Sequence, residues 1–249
     1  MRFGGTLCCI IRKVLMADPM LSPVYLGKAD PTYACMWLWV RLKDTLSVTF
    51  LIPMKNPTDK QLLGFHISLP MGYVDITPYF CMYTENIADM ANFSMDGRQV
   101  APPHPLKGLA DVPSLAELAP KQANDKQWTR TPPEKQVNAL AQVDIYLDNF
   151  ISTCQGGPKK RCQILLHLFR SIDIVFQPNG ATDGLYKELI FTKKLSQEYS
   201  AWYTKKRVLG WGIDTKEHHL RLTTKRESKL RTDLATIPAT AYQVSLCKW

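Results

Sequence analysis

Acidic residues at the ends of short strand-like runs are the chemistry this 249-residue chain offers most plainly. Asp30 closes Lys28-Ala29-Asp30. Asp148 sits in Tyr146-Leu147-Asp148-Asn149, between two apolar runs. Between them in the chain lies Leu69-Pro70-Met71-Gly72, a tight turn leading into a helical pattern. Two carboxylates from separate strand ends can hold divalent cations for an in-line phosphoryl displacement. Magnesium suits such a site because it accepts few carboxylates and keeps water and substrate phosphate as its other ligands. Each segment alone has a simpler reading. Asp30 precedes a proline and suits a turn, and Asp-Asn is itself a turn dipeptide. Their order along the chain is what suggests a shared site.

Other reactive side chains offer less. His218-His219 has no further His or Cys at ligand spacing and reads as an exposed pair. Cys81 and Cys154 have no local histidine and read as structural thiols. His66 lies on an apolar run and reads as a core histidine. Trp37, Trp39 and Trp202 read as core, and Trp211 as core or base-stacking. No Gly-x-Ser-x-Gly is present. Seven cysteines without a CxxC pair fit reduced thiols and an intracellular setting.

The elements that must position these residues follow from periodicity. Tyr25–Asp30, Trp37–Leu42, Ser47–Ile52 and Gln61–Leu69 read as strands. Pro78–Ala91 reads as a helix, with a proline in its first turn and Phe80, Tyr83, Ile87 and Met90 spaced by three and four. Asn92–Pro133 is Pro-rich with little periodicity and reads as an insertion. Gln136–Thr153 reads as strand, turn, strand. Pro158–Val175 is an amphipathic helix with Ile164, Leu165, Leu168, Ile172 and Val175 on one face. Glu188–Phe191, Arg207–Ile213 and His219–Leu222 read as strands, and Thr224–Leu234 as a last helix. No apolar run is long enough to cross a bilayer, and Met1–Gly5 does not open a secretory signal. No internal repeat is evident.

Charge is unevenly spread. The chain carries a net +9. Residues up to Gly157 balance 14 basic against 14 acidic, whereas Pro158–Trp249 holds 17 basic and 8 acidic. A one-sided basic segment is the electrostatic footprint of a phosphate-backbone partner, or simply a solvated face.

Taken together, these segments resemble the reverse transcriptase family, especially the polymerase segment of retrotransposons of fungi and oomycetes. Lys28-Ala29-Asp30 looks like its first catalytic motif. Gly64 to Asp75, containing Leu69-Pro70-Met71-Gly72, resembles the second. Asp144-Ile145-Tyr146-Leu147-Asp148-Asn149-Phe150 resembles the third, normally Tyr-x-Asp-Asp. Val208-Leu209-Gly210-Trp211 resembles the later turn that grips the primer end, and Lys193-Lys194 the lysine-bearing motif before it. The likeness spans about Gly27 to Arg231.

The resemblance implies an α+β fold: a palm-like antiparallel sheet backed by two helices, with a basic C-terminal thumb or connection region. Its expected divisions are residual fingers (1–27), palm (28–91), Pro-rich insertion (92–135), second palm part (136–195) and primer-grip and thumb-like region (196–249). It implies Mg2+ or Mn2+ on Asp30 and Asp148, with Asn149 beside them and Lys194 as a general-acid or phosphate-contacting residue. Cys35, Pro70, Met71, Gly72 and Tyr146 would line template and nucleotide. Leu209, Gly210 and Trp211 would hold the primer. The implied partners are an RNA or DNA template-primer and deoxynucleoside triphosphates, with no membrane. Three departures stand against full activity: Asn149 replaces an aspartate, Cys35 stands where a bulkier residue excludes the ribose 2′ hydroxyl, and only 29 residues precede Asp30. The expected activity is therefore RNA-directed DNA polymerisation, weakened or lost. The alternatives are a non-catalytic nucleic-acid-binding remnant of a retroelement, or an unrelated α+β scaffold with a basic face.

Overall fold

A computed structural model describes residues 5–32, 34–56, 60–70, 76–97, 100–110, 140–176, 189–195 and 200–235. The chain is a mixed α+β protein built from antiparallel sheets and helices. Its centre is a three-stranded sheet made of β1 (Val24–Ala29), β4 (Ala141–Tyr146) and β5 (Asn149–Gln155), in the order β1-β5-β4. β5 is central, pairing Ala29 with Phe150 on one side and Tyr146 with Asn149 on the other.

Strand alternation divides this sheet into two faces. Tyr25, Ala29, Val143, Ile145, Phe150 and Cys154 lie on one, against α2 (Ile76–Asp96) and α4 (Pro158–Phe176). These helices bury Phe80, Ile87 and Ala91, and Leu165, Leu168, Phe169 and Ile172, at helical spacing. Asn92 ties α2 to the sheet by exchanging hydrogen bonds with both backbone groups of Val143 (2.9 and 2.8 Å).

The opposite face carries Val24, Leu26 and Ile151. They pack with Ile10 and Val14 of α1 (Thr6–Met16) and with Val208 and Ile213 of a second sheet. That sheet is the meander β6 (Lys205–Val208), β7 (Trp211–Asp214) and β8 (His219–Leu222). It is tied to β1 by a hydrogen bond from Leu26 N to Tyr203 O (2.8 Å) and its reciprocal (3.1 Å). Gly27 allows the approach: a Cβ there would stand 3.0 Å from the Trp202 indole. α6 (Thr224–Ala235) follows and buries no residue.

A two-stranded hairpin, β2 (Thr49–Ile52) and β3 (Leu62–Phe65), is exposed along nearly all its length. Two short helices, α3 (Lys107–Ala110) and α5 (Thr192–Leu195), complete the elements. No helix among the described residues is long and apolar enough to cross a membrane.

Several elements differ from the sequence expectation. Trp37–Leu42 is not a strand; 3-10 turns at Ala34–Trp37 and Leu42–Val48 flank a single bridge from Trp39 to Ser68. Leu38 is buried in the core while Trp39 stays 75% exposed, and the Leu38 N–H is taken by Cys35 O in a local turn (3.0 Å), so the run anchors through one side chain without a strand ladder. Glu188 lies outside the described residues, and of its run only Ile190 makes a bridge, to Pro31. The apolar N-terminal segment is helical, and α2 runs on into the Pro-rich stretch as far as Asp96. Most of that stretch, from 111, lies outside the described residues.

Candidate functional site

The β4–β5 hairpin closes through Leu147-Asp148, with Tyr146 opposite Asn149. The turn is thus one residue earlier than Asp-Asn, and Asn149 already belongs to β5. Leu147 carries φ 57°, as the first central position of a tight hairpin turn requires. For leucine this conformation costs about 1–3 kcal/mol, held by the pairing on either side.

β1 pairs with β5 up to Ala29–Phe150, and that register, continued one step, would set Asp30 opposite Asn149. Directly opposed residues share a face, with Cα atoms about 4.5–5.5 Å apart. Asp30, Asn149 and Tyr146 therefore lie on the same face, near the start of α1, where Thr6 Oγ1 donates to Ile145 O at 2.6 Å. The amide of Asn149 donates to Asp148 Oδ1 at 2.7 Å, which holds that carboxylate beside it. The Cys35 thiol is held protonated by burial and, second, by the nearby Asp148 carboxylate, which places Cys35 at this cluster too.

Asp30 is the most enclosed member, with 6% of its surface exposed. Its Oδ2 accepts from Lys194 Nζ at 2.6 Å, and its Oδ1 is buried without a hydrogen-bond partner. Lys194 arrives from far along the chain. Thr32 N donates to Leu189 O (2.8 Å) and Phe191 N to Asp30 O (3.0 Å), so the base of α5 is stitched to the end of β1. Lys28, two residues before Asp30 and on its face, is buried as well. Burial lowers its pKa, Asp30 opposes that, and Arg207 and Lys194 add to it. Asp30 thus stands beside two cationic side chains, Lys28 and Lys194, with Arg207 within reach of Lys28.

Sequence reading passed over two of the residues around this face. Lys28 was marked only by its period-two spacing from Asp30. Lys13 had no local signal: it pairs with Asp144 on β4 at 2.6 Å, across 131 residues of chain. This pair lies on the same face, further along β4.

The other expected residues are more scattered. Leu69 and Pro70 are half-buried, and Leu69 N donates to Leu38 O at 2.9 Å; Met71 and Gly72 lie outside the described residues. Leu209-Gly210 forms the β6–β7 turn, with φ 52° and 82°, the pair of positive values a two-residue hairpin favours. A Cβ on Gly210 would meet the Arg226 guanidinium at 2.2 Å, but that exposed side chain can move aside, so it is the positive φ that favours glycine here. Trp211 is half-buried and pairs with Leu222. Arg207, two residues before this turn on β6, is within electrostatic reach of Lys28.

Among the described residues no three His, Cys, Asp or Glu side chains converge as a metal-holding group. What exists is two carboxylates and an amide. The buried Oδ1 of Asp30, left without a partner, can take a cation or a hydrogen-bond donor, since an acceptor-only oxygen in a dry site otherwise carries an uncompensated desolvation cost. The remaining singled-out groups are structural. Cys81 and Cys154 are buried, and burial pushes the Cys154 thiol up to about 12. His66 is half-buried rather than a core histidine, and its ring lies tilted at 43° against Phe50, with centroids 4.9 Å apart, beside the exposed hairpin. His218 and His219 are exposed.

No protein-family model matches this chain, and no curated protein matches it.

Proposed function

We propose that this chain is a reverse transcriptase-like polymerase palm whose nucleotidyl transfer is weak or lost. One observation carries the reading: Lys194 is ion-paired to the buried Asp30 at the end of β1, on the strand whose pairing with β5, continued one step past Ala29–Phe150, would bring Asp30 opposite Asn149, next to Asp148. The antiparallel sheet with two helices on one face supports it, as does the basic meander and helix after residue 200. Asp30 and Asp148 would hold Mg2+ or Mn2+, which supplies charge neutralisation at the transferred phosphoryl group. Tyr146 and Cys35 would border the nucleotide. Lys194 would meet the phosphates, and the Leu209-Gly210 turn would seat the primer end.

Primer extension with magnesium or manganese tests this. The intact chain should extend a primed template slowly, and Asp148→Ala should abolish extension while the circular dichroism spectrum is unchanged. Absence of extension by the intact chain, or extension that D148A leaves untouched, overturns the catalytic reading.

A second reading, a non-catalytic nucleic-acid-binding remnant, is favoured by the local charge. Asn149 brings no charge to the turn, Lys28 and Lys194 set positive charge beside Asp30, and Arg207 lies within reach of Lys28. That reading predicts template-primer binding without turnover.

A further inference from the structure

Metal binding at a carboxylate pair needs the carboxylates to be available, and one of these is already engaged. Lys194 Nζ lies 2.6 Å from Asp30 Oδ2, a contact made to a nearly fully buried carboxylate by a lysine whose side chain is 42% exposed. The two ends of this ion pair are mounted differently. Asp30 is fixed at the exit of β1, its carbonyl taken by Phe191 N and its neighbour Pro31 bridged to Ile190. Lys194 has a fixed base, since its own N–H donates to Phe191 O (2.9 Å), but its ammonium lies at the solvent boundary over the Phe191 ring, 5.1 Å from the centroid. A side chain of that kind can withdraw into water through its own rotamers without any shift of backbone.

Resting on the polymerase reading above, we propose that the Lys194 ammonium occupies the position of the first metal ion: it is a tethered counter-ion that a divalent cation must displace from Asp30 Oδ2. Three points of chemistry converge on this. A buried carboxylate needs a compensating cation, and Lys194 provides it at Oδ2 while Oδ1 stays unpartnered. Asn149 adds no negative charge, so Lys194, together with the buried Lys28, weighs more heavily against an incoming ion than it would beside a third carboxylate. Lys28 cannot leave in the same way, because it is buried within the β1 layer. Once displaced, the ammonium would be one side-chain length from Asp30, poised for phosphate oxygens, so that loading the ion and freeing the lysine are a single event.

Manganese binding to the full chain, followed by loss of the free-ion electron paramagnetic resonance signal, tests this directly. Lys194→Met keeps the length and removes the charge. It should bind Mn2+ about tenfold more tightly than the unsubstituted chain, the scale of one partly solvated charge at contact distance. The double variant carrying Asp30→Asn as well should lose that gain. Dimethylated lysines report the same event without relying on affinity. The 13C-methyl resonance missing from K194M should shift in the unsubstituted chain as Mg2+ is added, and should not shift in D30N. Equal Mn2+ affinity for the unsubstituted and K194M chains, with a stationary Lys194 resonance, overturns the displacement and leaves the polymerase reading standing. No Mn2+ binding by either chain overturns both together.

Discussion

Asn149 shows how much turns on one atom. Its amide nitrogen donates to Asp148 Oδ1, a bond that a carboxylate at the same position could not make. Asn149→Asp would set two negative groups against each other in the metal-free chain and add one unit of attraction for a cation. We expect N149D to be less stable than the parent by about 1 kcal/mol without divalent ions, and to gain more in melting temperature from millimolar Mn2+ than the parent does. Thermal melts with and without the ion check this; an equal Mn2+ response in both chains counts against a cation at this turn. At this scale the sequence was informative where partners are neighbours in register and silent where they are remote. Asp30, Asp148 and Asn149 stood out by type and position at strand ends. Lys13 did not, because nothing near it in the chain announces Asp144.

Elements were legible in proportion to how completely one face is buried. α2 and α4 pack on the sheet and their apolar spacing showed in the residues, although Tyr83 and Met90 of the expected stripe are not in the core, and Cys81, Thr84 and Ala88 are. α1 buries only Thr6, Ile10 and Val14, a stripe too narrow to stand out in an apolar run. The β7–β8 turn follows from local polar chemistry. Asp214 accepts from the N–H groups of Lys216 and Glu217, each at 3.2 Å. Burial works against its ionised form, yet those two N–H groups and Lys205 outweigh it, so its pKa lies below the ordinary value. A depressed carboxylate contributes stability that is complete above the unfolded value near 4 and is lost as pH falls through the folded one. Asp214→Asn should therefore cost about 1 kcal/mol at pH 7, with the difference vanishing in strong acid. Denaturant midpoints at pH 7, 4 and 2 measure it; a difference that persists unchanged at pH 2 contradicts the ionic origin.

For the whole molecule, the surplus of positive charge after Pro158 was evident from composition, and the folded chain spreads much of it over exposed ground. β8 is largely exposed and α6 buries nothing. Every phosphate contact made by such a surface releases counter-ions. The logarithm of affinity for a primed template should therefore fall with the logarithm of salt concentration, with a slope of about −3 or steeper if several lysines and arginines engage. Fluorescence anisotropy across a salt series gives the slope; a value near zero rules out phosphate contacts and both nucleic-acid readings. What composition could not reveal is the layering, in which the last third of the chain lies over the same sheet face as the first helix, because that depends on contacts between segments remote in sequence.

One consequence of that layering concerns synthesis. β1 is an early strand, yet its partners are β5 and the 200–203 segment, and Thr215 closes on Val24 O across 191 residues. A ribosome needs on the order of ten seconds or more to supply that length, so the nascent chain must carry an unsatisfied strand edge until the 200–215 segment has been made. Truncations ending before Thr215 would keep that edge open permanently, and chaperone occupancy during elongation should set the yield of folded protein.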